Sequence, residues 1–423
     1  MRPDSLRRIA LAAALLVPLG LLHAFVLAEI CIAIVDVLFL VCMAQRRDIA
    51  WARQPWFVLA LVWLAWLLLC STPLPFASFG SAGWVMGFVQ ALVILRFLLF
   101  TVALQTWLLV TPRAQKAAWL TLALSCFWIG IESWQQYLTG TNIFGDHRWL
   151  DGSLTGPFWK PRAGAPYMHL LFPAMLPVAL AMLARGTTLW RGAGAALAVI
   201  GVVTSVLIGQ RMGVALTGLG VVVTALFIRQ LRGIAVFIVV AAAIVIVATP
   251  VISPPTYAKL IHETSKNLSH FSLSPYGELY TRATVMGLNS LWHGWGYNGF
   301  RELCVAPQFS AGLPALGIAP TSLALGACNL HPHNYYIQAF VDAGLPGLIL
   351  FSLMMLSWMV ALGRNLFRAP DPMRVGMFVS VLTFTWPLGS TDEFPALYIL
   401  GWMFFILGLG LALRPTAGKA PSA

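Results

Sequence analysis

Charged side chains are scarce in this sequence, because Asp, Glu, Lys and Arg together make up only 9% of the 423 residues. Hydrophobic residues make up 59%, and the mean hydropathy is +0.83. A water-soluble globular domain of this size carries far more charge on its surface. The scarcity of charge therefore excludes a soluble protein and indicates an integral membrane protein.

Acidic residues are the scarcer kind of charge, with 14 Asp and Glu against 26 Lys and Arg, which gives a formal net charge of +12. With the amino terminus inside, 17 of the 26 basic residues fall in cytoplasmic loops, 8 fall outside, and Arg96 lies within a span. This bias predicts that both termini are cytoplasmic. It also explains the net charge without a nucleic-acid partner.

Apolar runs long enough to cross a bilayer recur along the chain, and we expect them to be helices, because backbone groups in hydrocarbon must be bonded within their own segment. About twelve spans are predicted, at residues 9–22, 24–44, 55–71, 83–110, 116–138, 165–184, 190–208, 212–229, 233–250, 334–362, 373–388 and 395–413. The first run follows Arg7 and Arg8 as in a signal peptide, but it lacks a clear cleavage site. We expect it to be retained.

Two long segments, residues 139–164 and 251–332, face outward under this topology. The predicted division is residues 1–250 with nine transmembrane helices, a large periplasmic segment at 251–332, and residues 333–423 with three more helices and a short cytoplasmic tail. Chemistry is expected at the outer face, where ATP and nucleotide sugars are absent. From Glu278 to Leu291 the apolar spacing predicts an amphipathic helix lying at the interface.

Internal repeats are absent as far as the sequence shows, which disfavours a transporter, since such folds commonly carry repeats around a midplane site. Charged residues within the predicted spans are few, and Glu29, Asp36 and Arg96 are the clearest. An isolated charge at that depth is costly. We therefore expect Asp36 and Arg96 to form a buried ion pair that fixes helix packing.

Cysteine is rare, with six residues in the chain. The four at positions 31, 42, 70 and 126 lie in predicted spans and are expected to act as small hydrophobic residues. Cys304 and Cys328 lie in the periplasmic segment, where the environment is oxidising. A disulfide between them and two free thiols stay equally open.

The stretch GWGYNG, residues 294–299, matches the dinucleotide pattern G-x-G-x-x-G. That pattern has meaning only between a strand and a helix, and neither a parallel sheet nor a cytosolic location is offered here. We interpret the glycines as a tight turn. Trp295 and Tyr297 beside it are candidates for binding sugar rings, although an aromatic belt at the membrane interface explains them equally well.

The densest polar cluster, HPHN at residues 331–334, stands at the start of a predicted span. A histidine near neutral pH can take a proton from a sugar hydroxyl, which makes His333 a candidate base. His331 and Asn334 are candidate substrate-binding residues, and Asn334 can also orient a ring or cap the helix. The pair H-x-H alone is a weak metal signal, so no metal is predicted.

Arginines on the outer side are candidate anion ligands, because guanidinium groups meet phosphate oxygens through two hydrogen bonds and keep their charge. Arg211 lies in a short connection between spans, and Arg282 lies on the predicted interfacial helix. Snorkelling or a salt bridge is the alternative for Arg211. Weaker candidates for the same anion, or for an acidic acceptor, are Arg148, Lys160, Arg162 and Arg301.

The order of the segments GQRMG, LWHGWGYNGF and HPHNYYIQAFVDAGLPG resembles the O-antigen ligase and polymerase superfamily of bacterial envelope enzymes. The resemblance covers residues 200–350 by motif and the whole chain by topology. It implies a GT-C-like inner-membrane glycosyltransferase without a cofactor, with His333 as catalytic base and Arg211 and Arg282 on the pyrophosphate of the donor. The implied partners are an undecaprenyl-pyrophosphate-linked glycan donor, a lipid A-core acceptor and membrane lipids.

Three activities compete within that superfamily, and we favour the ligase over the polymerase. The third, protein O-oligosaccharyltransferase, typically carries a large domain after its last span, and we expect none here. A flippase without chemistry would instead line a path through the bundle with ionisable residues. The stretch STDEF, residues 390–394, offers Asp392 or Glu393 to an acceptor, although solvated loop carboxylates are the preferred interpretation.

Overall fold

The computed structural model of the protein describes residues 3–73, 84–321, 328 and 331–413. Helix accounts for 77% of the structure. The described residues contain no β-strand, and two isolated bridges join Thr141 to His147 and Leu313 to Ile318. The predicted all-α polytopic membrane fold is confirmed.

Seventeen α-helices lie in the described part of the chain. In order they are α1 (Pro3–His23), α2 (Phe25–Arg46), α3 (Pro55–Cys70), α4 (Trp84–Val93), α5 (Leu95–Ala103), α6 (Pro112–Thr139), α7 (Gly164–Leu183), α8 (Thr188–Ile208), α9 (Arg211–Phe227), α10 (Arg232–Ile252), α11 (Pro254–Tyr257), α12 (Thr264–Ser269), α13 (Pro275–Asn289), α14 (Gly299–Leu303), α15 (Tyr335–Gly363), α16 (Pro372–Phe384) and α17 (Leu397–Ala412).

Eight segments among the described residues are long and apolar enough to cross a membrane: α1, α2, α4 together with α5, α6, α7, α8, α10 and α15. The helices α3, α9, α16 and α17 are apolar but shorter. These eight and four segments coincide with the twelve predicted spans. The number of membrane crossings itself stays a prediction.

The helix α17 runs through the interior of the bundle because it is apolar on every side. Trp402, Phe404 and Leu407 in this helix are all 0% exposed. The helix α10 has the opposite environment, since Val247 and Val251 are 79% and 86% exposed. We infer that α17 belongs to the protein core and that much of α10 faces lipid.

The helix α15 is broken about one third of the way along its length, where the sequence predicted a continuous span. Ala343 and Gly344 have non-helical backbone angles, and Gly344 has φ of +65° and ψ of −167°. The glycine-rich turn fills the break, because Trp295 N–H donates to the Val341 carbonyl at 2.8 Å and Leu345 N–H donates to the Leu291 carbonyl at 2.7 Å. Backbone groups freed by the break are thus satisfied by another part of the protein.

The ion pair of the first helices differs from the predicted one. Arg96 binds both carboxylate oxygens of Glu29, at 2.8 and 3.0 Å, so the predicted pair with Asp36 is wrong. Two parallel hydrogen bonds from one guanidinium favour the carboxylate that lies edge-on to it. Asp36 is buried, and its Oδ1 has no hydrogen-bond partner among the described residues.

The segment that follows α10 contains the predicted amphipathic helix, observed as α13. Ser274 caps it by accepting from the Gly277 amide at 3.1 Å, and Leu279 and Met286 are buried beneath it. A disulfide joins Cys304 to Cys328, with their Cα atoms 5.7 Å apart. Of the two alternatives that the sequence left open for these cysteines, the disulfide is the one observed.

Three connections meet at one end of the bundle, which we name the loop end: residues 140–163, 253–321 and 385–396. The side chain of Lys259 reaches Ser153 at 2.5 Å, which joins the first connection to the second. The Thr391 amide donates to the His333 carbonyl at 2.8 Å, which joins the third to the start of α15. The candidate site residues are carried by these connections and by the helix ends beside them.

Candidate active site

The ring of His333 is oriented by the connection before α17. Its Nδ1 lies 2.9 Å from the carbonyl oxygen of Thr391. Because a carbonyl oxygen only accepts hydrogen bonds, this contact assigns the ring proton to Nδ1. The lone pair then lies on Nε2, which is the ring nitrogen suited to act as a base.

His331 is buried beside it, with 8% of the residue exposed. Its Nε2 lies 3.1 Å from His333 Nδ1 and 3.2 Å from Asp392 Oδ1. Burial, together with the neighbouring positive charge of His333 and of Arg301, lowers the pKa of His331 to about 3. The ring is therefore neutral near pH 7, and its contacts suit it to holding His333 and Asp392 in place.

Asp392 and Glu393 belong to this cluster, and their interpretation as solvated loop carboxylates is wrong. Burial raises the pKa of both groups. The charges of His333 and Arg162 oppose that rise in Asp392, and Arg301 opposes it in Glu393. The signal in the sequence was an adjacent pair of carboxylates in a short connection of a chain that has few acidic residues.

Stability is expected to fall as the pH drops below about 6.5 because of His331. The unfolded chain takes up a proton on this ring at its ordinary pKa of about 6.5, whereas in the folded chain the pKa is about 3. The free energy of unfolding should therefore decrease by up to about 1.4 kcal/mol per pH unit within this window. Thermal unfolding of the purified protein in detergent, measured from neutral to mildly acidic pH, checks this expectation.

The variant His331→Gln should flatten that slope. Asp392 acts in the opposite sense, because its raised pKa lets the folded chain take up a proton at a pH where the unfolded chain has not yet done so. Asp392→Asn should therefore steepen the slope. Equal slopes in the wild type and in His331→Gln would contradict the role assigned to this ring.

Asn334 caps α15 and ties it to the connection before α17. Its Oδ1 accepts from the amides of Tyr336 and Ile337 at 3.0 and 3.1 Å, and its Nδ2 donates to the Pro387 carbonyl at 2.7 Å. The residue is 5% exposed. The predicted capping role is confirmed. By fixing the start of α15 against the connection before α17, Asn334 helps to position the adjacent residue His333.

Two tyrosines of α13, which sequence reasoning missed, also contact His333. The Tyr280 hydroxyl lies 3.4 Å from the His333 carbonyl, and the Tyr276 ring meets the imidazole edge-on with centroids 5.6 Å apart. Residues four apart share one face of a helix. The sequence indicated only that two tyrosines share one face of this helix. That this face contacts His333 is shown by the fold.

Arg301 and Tyr297 converge on Glu393. Arg301 Nη2 lies 2.8 Å from Glu393 Oε2, and the Tyr297 hydroxyl donates to Glu393 Oε1 at 3.1 Å. Tyr297 is 6% exposed, and Trp295 donates from its ring nitrogen to the Met286 carbonyl at 2.8 Å. The tight turn at residues 294–299 is confirmed by the positive φ of Gly294 and Gly296 and by the Gly299 amide, which donates to the Gly296 carbonyl at 2.9 Å. The side-chain contacts favour supporting roles for both aromatic residues.

Arg211 begins α9 at the loop end. It forms a salt bridge with Glu263, and its Nε donates to the Lys259 carbonyl at 3.1 Å. One quarter of its side chain is exposed. The salt bridge foreseen as the alternative is present, and the remaining exposure leaves the guanidinium accessible to an anion.

Arg282 is placed differently, with only 1% of the residue exposed. Its guanidinium donates to the Cys304 carbonyl at 2.6 Å and to Thr321 Oγ1 at 3.3 Å. On a helix it points away from Tyr280, two residues earlier, which faces His333. In this structure Arg282 secures the disulfide-bonded segment, through the Cys304 carbonyl.

The basic residues of the first connection have separate surroundings. Arg148 donates to Ser253 Oγ at 3.2 Å, and Lys160 lies 4.2 Å from the centroid of the Trp159 ring. Arg162 lies over the rings of Phe25 and Tyr398. The described residues contain no group of three or more His, Cys, Asp or Glu side chains that would hold a metal ion.

Comparison with known families bears on this site. Residues 196–352 match the family model described as O-Antigen ligase. The match includes Arg211, Arg282 and His333, and it ends before the connection that carries Asp392. A search of curated proteins finds no match. The resemblance to the O-antigen ligase superfamily is confirmed over the matched residues.

Proposed function

We propose that this membrane protein, which the match links to O-antigen ligase and polymerase function, transfers an O-antigen glycan from undecaprenyl pyrophosphate to a sugar hydroxyl of lipid A-core. Supporting this are the family match over residues 196–352 and the cluster of ionisable side chains at one end of an apolar bundle. The observation that carries the mechanism is the contact between His333 Nδ1 and the Thr391 carbonyl. It leaves Nε2 to act as the base.

In the proposed reaction, Nε2 of His333 takes the proton of the acceptor hydroxyl while the hydroxyl oxygen bonds to the anomeric carbon of the donor sugar. The bond from that carbon to the diphosphate oxygen breaks, and its electron pair leaves with the lipid diphosphate. General-base catalysis of this kind contributes roughly 10²- to 10⁴-fold. Direct attack inverts the configuration at the anomeric carbon.

Negative charge grows on the lipid diphosphate as the bond breaks. We assign its stabilisation to Arg211, whose guanidinium is accessible and already binds the carboxylate of Glu263. A diphosphate would take the place of that carboxylate and form charge-assisted hydrogen bonds. The role of Arg282 in the same binding, expected from the resemblance, stays a proposal and requires its buried guanidinium to become accessible.

The reaction is proposed to take place at the periplasmic face of a bacterial inner membrane, with both termini in the cytoplasm. The donor is already activated, so the proposed reaction needs no nucleotide and no cofactor. A lipid carrier has its tail in hydrocarbon and its sugar in water, so the base belongs at the boundary. The loop end meets this requirement, because His333 directly precedes Asn334, the residue that caps α15.

A polymerase would use the same donor chemistry and extend the glycan on undecaprenyl pyrophosphate, and a protein O-oligosaccharyltransferase would use a Ser or Thr hydroxyl. A flippase is disfavoured because His331, His333 and Asp392 form one cluster at the loop end, beside the ion pair of Arg301 with Glu393. Products made by the purified protein from lipid-linked glycan and lipid A-core separate these functions. Glycan on lipid A-core is expected, whereas longer glycan on the lipid carrier would overturn the ligase assignment.

A further inference from the structure

Arg162 differs from the other arginines of the loop end in how its donors are used. Arg148, Arg211, Arg282 and Arg301 all donate hydrogen bonds to protein oxygens. The Arg162 guanidinium donates none to another described residue, although the side chain is only partly exposed. Its N–H donors are therefore available to an acceptor from outside the chain.

Two aromatic rings hold that guanidinium in place. Its central carbon lies 4.5 Å from the centroid of Tyr398, at the start of α17, and 5.6 Å from that of Phe25, at the start of α2. Stacking on a ring leaves the N–H groups at the guanidinium edge directed outward. The arrangement fixes the plane of the guanidinium and presents its edge to a ligand.

Arg162 is also coupled to the base cluster. Its positive charge acts on the carboxylate of Asp392, whose Oδ1 lies 3.2 Å from His331. An anion bound at Arg162 would therefore sit beside the residues that orient His333. The carbonyl of Pro161, the residue before Arg162, accepts a hydrogen bond at 2.5 Å from the side chain of Gln210, the residue before Arg211, so both arginines are carried by bonded segments of the loop end.

The geometry of an inverting transfer decides which substrate each of the two arginines would meet. The attacking oxygen and the leaving diphosphate lie on opposite faces of the anomeric carbon, so the two substrates approach from opposite sides. The proposed function assigns the diphosphate to Arg211, at the start of α9. The acceptor hydroxyl meets the base, and the charge of Arg162 acts on Asp392 of the base cluster, so an anion site at Arg162 falls to the acceptor.

We propose that Arg162, held between Phe25 and Tyr398, is a subsite that binds an anionic group, a phosphate or a carboxylate, on the acceptor saccharide. This inference rests on the proposed function. It assigns recognition of the acceptor to a residue outside the stretch that matches the family model. Charge-assisted hydrogen bonds from a guanidinium to such a group carry enough free energy to dominate acceptor affinity.

The variant Arg162→Gln is expected to raise the KM for lipid A-core by about 10- to 100-fold. The KM for the lipid-linked donor and the kcat at saturating acceptor should stay near the wild-type values. Arg162→Lys should recover only part of the affinity, because an ammonium group lacks the planar fork. Lys266→Gln removes one positive charge from an exposed residue of the same loop end and is the matched control, with wild-type kinetics expected.

Two acceptors distinguish the sources of the anion. Intact lipid A-core and the same material dephosphorylated with hydrofluoric acid are compared in the wild type and in Arg162→Gln. A large effect of the variant on the intact acceptor alone assigns the subsite to phosphate, and an equal effect on both acceptors assigns it to a carboxylate. Unchanged acceptor KM in Arg162→Gln, or a rise in donor KM instead, would overturn the inference while the active wild type leaves the proposed function standing.

Discussion

His333→Ala is expected to lower the rate of glycan transfer by roughly 10²- to 10⁴-fold while leaving the protein folded. The variant loses the imidazole ring, and with it the base on Nε2 and the contacts of Nδ1 with the Thr391 carbonyl and with His331. The imidazole contacts residues of the loop end, so the packing of the transmembrane helices should not depend on it. Single-turnover measurements with purified donor and acceptor, at saturating concentrations of both, give the rate of the chemical step.

Two further variants separate loss of the base from loss of contacts. His333→Gln keeps a side-chain donor for the Thr391 carbonyl but offers no titratable nitrogen, so its rate should resemble that of His333→Ala. His262→Ala changes an exposed histidine of the same loop end and should leave the rate unchanged. Transfer at the wild-type rate by folded His333→Ala would rule out the proposed base.

Gly344→Ala is expected to destabilise the protein by about 2–5 kcal/mol, which in a membrane protein of ordinary stability means loss of most folded material. The backbone at Gly344, with φ of +65° and ψ of −167°, lies in a region that only glycine occupies readily. A Cβ atom there would also stand 2.7 Å from the Leu291 carbonyl oxygen and the His293 nitrogen. Both atoms belong to backbone that cannot move aside.

The midpoint of thermal unfolding in detergent and the yield of monodisperse protein measure this effect. Gly218→Ala is the matched control, because no atom lies within 4 Å of a Cβ atom at that helical position and its φ is not positive. We expect the control to be neutral or slightly more stable. A Gly344→Ala protein that unfolds at the wild-type temperature would show that the break in α15 is not needed.

Most of the helices followed from the sequence because apolar length alone determines them in a membrane. The break at Gly344 did not, because the stretch AGLPG lies within a continuous apolar run. What stabilises the break is Trp295, whose amide bonds to the Val341 carbonyl from 46 positions earlier in the chain. A contact of that range depends on how α13 packs against α15, which the local pattern does not contain.

The pairing of charged residues within the bundle also depends on helix packing and could not be predicted from the sequence. Glu29 and Asp36 lie on one helix, and choosing between them as the partner of Arg96 requires the rotation of α2 relative to α5. The structure selects Glu29, through two hydrogen bonds. Sequence distance along a helix gave no means to decide, because both carboxylates lay at a plausible depth.

The site was predictable where its residues are neighbours in sequence and obscure where they are not. His331 and His333 are brought together by their own spacing, and Asn334 follows directly as the helix cap. Asp392 lies 59 positions after His333 in the sequence. It reaches the two histidines because its neighbour Thr391 contacts the His333 ring. The same fold buries Arg282, which from its residue type alone had looked as accessible as Arg211.

The central claim is that a base at His333 and a guanidinium at Arg211 face the same lipid-linked sugar. A cryo-EM structure of the His333→Ala variant with the undecaprenyl-pyrophosphate-linked donor bound tests it most directly. We expect the diphosphate to replace Glu263 against Arg211, with the anomeric carbon facing the space that the imidazole occupies in the wild type. A donor bound with its diphosphate remote from Arg211, or at the opposite end of the bundle, would contradict the mechanism.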